Sequence, residues 1–135
     1  MEKKYGNLVD AAIQVRTNAH VPYSHFAVGA AVQTKSGKIF TGCNVENISL
    51  RLTLCAEEVA VGAAVANGEK ELIVIAVVAD SDEPVMPCGA CRQLLAEFNP
   101  ATEIVCAKLD GSVEHHTLNE LLPRAKQGIL EQRQS

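Results

Sequence analysis

A chain of 135 residues with 47% apolar and 21% charged content is long enough to bury a core, and its composition excludes a disordered chain. Lys and Arg number 12 against 16 Asp and Glu, for a net charge of −4. No basic cluster stands out, which argues against a nucleic-acid partner, because gripping phosphates draws on counterion release at a basic face.

Residues 3–19 read as an amphipathic helix, with Leu8, Ala11, Ala12, Val15 and Ala19 at helical spacing. The opening MEKKYGN has no apolar secretion segment, which points to the cytoplasm. A break at VPYS follows. Residues 26–34 and 38–46 flank Lys35-Ser36-Gly37 as a hairpin. Residues 54–67 are Ala- and Val-rich without strand alternation and end on Asn67-Gly68, a helix stop. LIVIAVVAD reads as a strand covered on both faces. It is the longest apolar run and far too short to span a bilayer, so no membrane partner is expected. A helix over 88–98 and a strand over 103–110 come next, then SVEHH and a short helix, LNELL. Thr117 and Glu120 are spaced as a capping box for that helix. The order α-β-β-α-β-α-β-β-α predicts one α/β domain over residues 1–135, a three-layer α/β/α sandwich around a mixed sheet.

Five cysteines are an odd number for a chain expected in a reducing compartment, so metal binding or burial must explain them. Cys88 and Cys91 are three apart on a first helical turn, and their sulfurs can face one way. Helix N-termini favour thiolates. Cys55 begins another helix and can aim a third sulfur at the same point. Three thiolates hold zinc and leave one coordination position open, the mark of a catalytic site. Water there has its pKa lowered to about 7. Glu57 makes this an enzyme hypothesis. Residues two apart on a helix point about 200° from each other, so Cys55 and Glu57 share a site only if Cys55 lies at the frayed helix start. Glu57 could then take a proton from water and pass it to a leaving amine. A C-x-x-C pair alone would equally suit a redox pair or half a structural zinc site. Cys43, Cys106, His25, His115 and His116, the other ligand candidates, read as packed or surface residues.

These motifs carry a family resemblance. From residues 8 to 122, through PYSHFAVGAAV, GCNVENIS, CAEEVA, PCGACRQLL and TLNELLP, the chain resembles the small homotetrameric cytidine deaminases of nucleoside salvage. The three-Cys zinc signature with its C-x-E and P-C-x-x-C elements is part of that likeness. The resemblance implies a five-stranded mixed sheet, one Zn2+ per subunit, and active sites near subunit interfaces. It implies zinc-dependent hydrolysis of cytidine or deoxycytidine to uridine or deoxyuridine with release of ammonia. Cys55, Cys88 and Cys91 match the zinc ligands and Glu57 the proton shuttle. Asn44 and Glu46 match the pair that binds the ribose hydroxyl, Phe26 and Val28 line the pyrimidine pocket, and the Ala56 backbone N–H binds the base carbonyl.

Three positions depart from the family pattern. Glu58 stands where the family commonly has an Arg that offsets thiolate charge, and Arg51 or Arg92 is expected to supply it instead. Leu50 replaces an aromatic that reaches a neighbouring subunit, and the tail after Pro123 has no aromatic. These changes imply tolerance for modified cytosine nucleosides. The alternatives are a blasticidin S-type deaminase acting on a cytosine-bearing antibiotic, and a non-catalytic structural zinc module. The module would need a fourth protein ligand and has no use for Glu57.

Overall fold

A computed structural model describes residues 5–125. The elements run α1 (Gly6–Arg16), β1 (Val28–Thr34), β2 (Ile39–Cys43), α2 (Ala56–Ala66), β3 (Leu72–Ala79), α3 (Gly89–Phe98), β4 (Glu103–Lys108), β5 (Val113–Thr117) and α4 (Leu118–Leu121). This is the expected order, with one addition: a 3-10 turn at Leu50–Leu52. The sheet order is β2-β1-β3-β4-β5. β1 pairs antiparallel with both β2 and β3, β3 with β4 is parallel, and β4 with β5 is antiparallel.

Two-residue periodicity sorts the sheet's side chains into two cores. Ala30, Val32, Ile75, Val77, Ile104 and Cys106 face α2 and α3, where Ala56, Ala60, Ala64 and Leu95 cover them. Ala31, Val74, Ala76, Val78, Val105 and Ala107 face α1 through Leu8, Val9 and Ala12. The α/β/α sandwich is therefore one helix on one face and the others opposite. Two glycines permit close approach. A Cβ on Gly29 would lie 2.0 Å from the Ala12 carbonyl of α1, and one on Gly42 would lie 2.4 Å from the Ala60 nitrogen of α2.

The elements are shorter than the sequence patterns, for identifiable reasons. β1 begins at Val28 and β2 ends at Cys43 because the Asn44 side chain takes over there. Its Oδ1 accepts the Val28 N–H (2.9 Å) and its Nδ2 donates to the Phe26 carbonyl (2.9 Å). Beyond it, Val45 bridges to both His20 and Leu54. That crossing gathers the segments around residues 20–28, 44–46 and 53–55 at one end of the sheet. The Thr117–Glu120 capping box does not form: the Thr117 hydroxyl donates to the Glu120 carboxylate (3.1 Å) instead of capping the backbone.

Topology places two helix starts together. α2 precedes β3 and runs back along it, so its N-terminus lies at the C-terminal end of β3. The chain leaving β3 enters α3 at that same end. The crevice beyond the carboxyl ends of parallel strands is where open α/β sheets build their sites.

Candidate metal centre

Cys55 is the N-cap of α2 and has extended backbone (φ −74°, ψ 151°), whereas Glu57 is already helical. The frayed start required for the two to share a site is the geometry present. Cys88 is the N-cap of α3, also extended (φ −68°, ψ 172°), and Cys91 lies in its first turn. The sulfurs of Cys55, Cys88 and Cys91 all lie within 4.8 Å of one another, the one such grouping of three or more His, Cys, Asp or Glu among the described residues. Sulfurs sharing a tetrahedral zinc at about 2.3 Å would sit about 3.8 Å apart, so the trio fits the ion with small adjustment.

The remaining ligand candidates have other surroundings. Cys106 is buried in β4, and burial pushes its thiol up to about 12. Cys43 is paired through β2 to Gly29. His115 packs against the Tyr5 ring with centroids 5.4 Å apart, His116 bonds Glu114 (3.1 Å), and His25 is exposed with φ 58°.

Glu57 is 6% exposed. Burial is the main cause that raises its pKa above the ordinary carboxylate value, Glu58 adds to it, and the Cys91 thiol opposes it through a hydrogen bond. Burial also pushes the Cys55 thiol up to about 11, with Glu57, Cys88 and Glu58 adding negative charge nearby. Cys91 is driven higher by the same causes, burial first. Such thiols are protonated at neutral pH until a cation displaces the protons.

Glu58 acts here as a structural cap: its Oε1 accepts the Cys55 N–H at 2.8 Å. A cysteine cap closed by a glutamate three residues on is a capping box outside the usual Ser or Thr pattern, which is why the sequence did not suggest it. Arg92 donates through Nε to the Pro87 carbonyl (2.9 Å) and through Nη1 to the Leu121 carbonyl (3.1 Å), while Arg51 is exposed in the 3-10 turn.

Beside the sulfurs lies a cavity of about 200 Å³. Of the residues expected in the site, Val28, Asn44, Cys55, Ala56, Glu57 and Cys88 line it. Thr53, Leu54, Val77, Val85 and Met86 complete the wall. Val85 and Met86 precede Pro87-Cys88 and could have been inferred from that adjacency; Val77 is one of several apolar residues in a buried strand and carries no local signal. Phe26 and Glu46 are not in the wall but connect to it. Asn44 holds the Phe26 carbonyl, and Glu46 Oε1 accepts the N–H groups of Tyr23 (3.0 Å) and Ser24 (3.1 Å). Hydrogen bonding, from the Ser24 side chain above all, lowers the Glu46 pKa. Ala56 opens α2, where first-turn N–H groups have no partner within the helix.

A three-thiol centre with a buried carboxyl beside an open cavity, on an α/β/α sheet, defines a zinc-dependent deaminase class. A sequence profile of the cytidine and deoxycytidylate deaminase zinc-binding region matches residues 2–108, and the chain belongs to that family. It is 49% identical to a cytidine deaminase of Halalkalibacterium halodurans over 87% of this chain and 90% of that one. It superposes on the crystal structure of cytidine deaminase from Burkholderia pseudomallei with a TM-score of 0.85 and 43% identity, covering 92% and 98% of the two chains. A more distant relative is the blasticidin-S deaminase of Bacillus cereus, 36% identical over 86% of this chain and 87% of that one.

Proposed function

We propose that this protein hydrolyses cytidine and deoxycytidine to uridine and deoxyuridine, releasing ammonia, as one domain spanning residues 1–135. The observation that carries the reading is Glu57: a buried carboxyl, its pKa raised, beside three clustered thiols and facing an open cavity. A structural zinc site has no role for such a group.

Cys55, Cys88 and Cys91 hold the zinc, which when bound supplies a Lewis acid that makes water a competent nucleophile near neutral pH. Glu57 takes the proton of the attacking water and delivers it to the departing amine. Its raised pKa suits both duties, since a base that must return its proton works best with a pKa near the working pH. The ring carbon that bears the amine gains oxygen and loses nitrogen as ammonia. The Ala56 N–H donates to the base carbonyl, and Val28, Val77, Val85 and Met86 give the ring an apolar wall that excludes bulk water. Phe26 faces the pyrimidine, and Asn44 and Glu46 bind sugar hydroxyls.

The reading includes a homotetramer with active sites near subunit contacts. Ile48 and Leu50 each leave 84% of their surface exposed in the segment before Cys55, with Leu52 and Leu54 exposed beside them. An apolar patch of this kind suits burial by a second copy. The cytoplasm is the compartment we assign, because the three ligand thiols must remain reduced.

The test is a panel of cytidine, deoxycytidine, N4- and C5-substituted cytidines and blasticidin S, followed by ammonia release, with zinc measured on the same samples. Turnover of the plain nucleosides, with measurable rates on the substituted ones, is expected. Turnover of blasticidin S alone would overturn the assignment.

A further inference from the structure

Phe26 is held at both backbone ends by side chains. Its carbonyl accepts from Asn44 Nδ2 (2.9 Å), and its N–H donates to Ser24 Oγ (3.0 Å). Ser24 is in turn bound to Glu46, through its own N–H (3.1 Å) and its side chain. Between Ser24 and Phe26, His25 sits at φ 58°, a left-handed conformation that a non-glycine residue keeps only where its surroundings impose it. The restraints around it are the bond from its own N–H to the Val21 carbonyl (3.0 Å) and those from Glu46 and Asn44 on either side.

Both backbone bonds to Glu46 fall on one oxygen, Oε1, so they do not use Oε2. We propose that Glu46 is a positioning residue as well as a sugar contact: its Oε1 latches the loop over residues 21–26 into the shape that presents Phe26, while Oε2 serves the sugar hydroxyl. The proposal rests on reading Asn44 and Glu46 as the sugar grip, and it adds that the same carboxylate sets the base pocket. A nucleoside therefore meets a pocket whose sugar end and base end are coupled through one side chain.

The coupling separates the two roles experimentally. Cytidine and 2′,3′-dideoxycytidine share a base, but the second lacks the hydroxyls that Glu46 would bind. If Glu46 touched only the sugar, Glu46→Ala would slow cytidine turnover and leave dideoxycytidine turnover unchanged. The latch predicts a loss of roughly tenfold or more in kcat/KM on both, the scale set by bonds to a charged acceptor. Glu46→Gln, whose amide oxygen can still accept the Tyr23 and Ser24 N–H groups, should recover most of the dideoxycytidine rate but less of the cytidine rate. Amide hydrogen exchange in the substrate-free protein gives a second readout: Tyr23, Ser24 and Phe26 should exchange faster in Glu46→Ala and near the wild-type rate in Glu46→Gln.

Ser24→Ala leaves the carboxylate and its bonds from the Tyr23 and Ser24 N–H groups in place and removes the hydroxyl that joins Glu46 to Phe26. It should speed Phe26 exchange and lower kcat/KM equally on both nucleosides. Loss confined to cytidine, with unchanged exchange in the loop, would overturn the latch and leave the sugar contact standing. Undiminished cytidine turnover in Glu46→Ala would overturn the latch and the sugar-grip reading together.

Discussion

Cys55 and Glu57 lie two residues apart, one with extended and one with helical backbone, and this change of backbone turns both side chains to one point. A C-x-E spacing demands it, so the requirement is legible in the sequence. The cap that secures it is not, because Glu58 does so with a cysteine partner. The same carboxylates add negative charge around thiols already raised by burial. The sign of the pH dependence follows. Without metal the thiols hold their protons through neutral pH, so zinc uptake must release protons, and affinity must rise as pH rises. Zinc titration of metal-free protein in buffers spanning pH 6 to 8 should show proton release from Cys55 and Cys91. Affinity independent of pH would mean that the thiols are not the ligands.

Among the elements, α2 matters most, since it carries Cys55, Ala56 and Glu57 on a helix that touches β2 closely at Gly42. Gly29 does the same for α1 on the opposite face. The two glycines offer a controlled comparison. Gly42→Ala and Gly29→Ala should each destabilise by about 1–3 kcal/mol, the usual cost of overpacking a tight contact, read by denaturant unfolding. Gly42→Ala alone should also weaken zinc binding, because it pushes on Ala56 and Ala60, whereas Gly29→Ala should leave it unchanged. Equal zinc affinity in both variants would show that the β2–α2 contact does not set the centre.

Helix and strand identities followed from periodicity, including β3, which is buried at every residue except Ile73. Their ends did not, since Asn44 replaces ladder hydrogen bonds near Val28 and Phe26 with side-chain bonds. Thr117 and Glu120 matched a capping pattern but bond each other, because Thr117 still belongs to β5. Such outcomes depend on which groups meet across the chain. Local pattern does not record them.

On the scale of the whole molecule, the sheet topology decides where the site can be. A parallel β3–β4 pair joined through α3, with α2 packed before it, brings two helix starts to one end. Cysteines 33 positions apart in sequence thus share one centre. Val77, Val85 and Met86 enter the cavity wall by the same convergence, which explains why motif spacing alone did not name them. The exposed apolar segment near that end bears on assembly. Leu50→Asp places a charge where Leu50 is 84% exposed and, on the proposed tetramer, should shift the sedimentation mass toward smaller species. An unchanged mass would place the subunit contacts elsewhere. The departures from the family pattern after Pro123 involve sequence that continues into residues 126–135, outside the described residues.

The central claim is that three thiols hold a metal beside a carboxyl that moves the proton, and Glu57→Gln tests it most directly. Wild-type and variant protein should be assayed together for zinc content and for ammonia released from cytidine. Both should carry one zinc per chain, and the variant should lose about 10²- to 10⁴-fold in rate, the scale of general acid–base catalysis. A variant that retains both zinc and turnover, or wild-type protein that turns over cytidine after its zinc has been removed, would contradict the account.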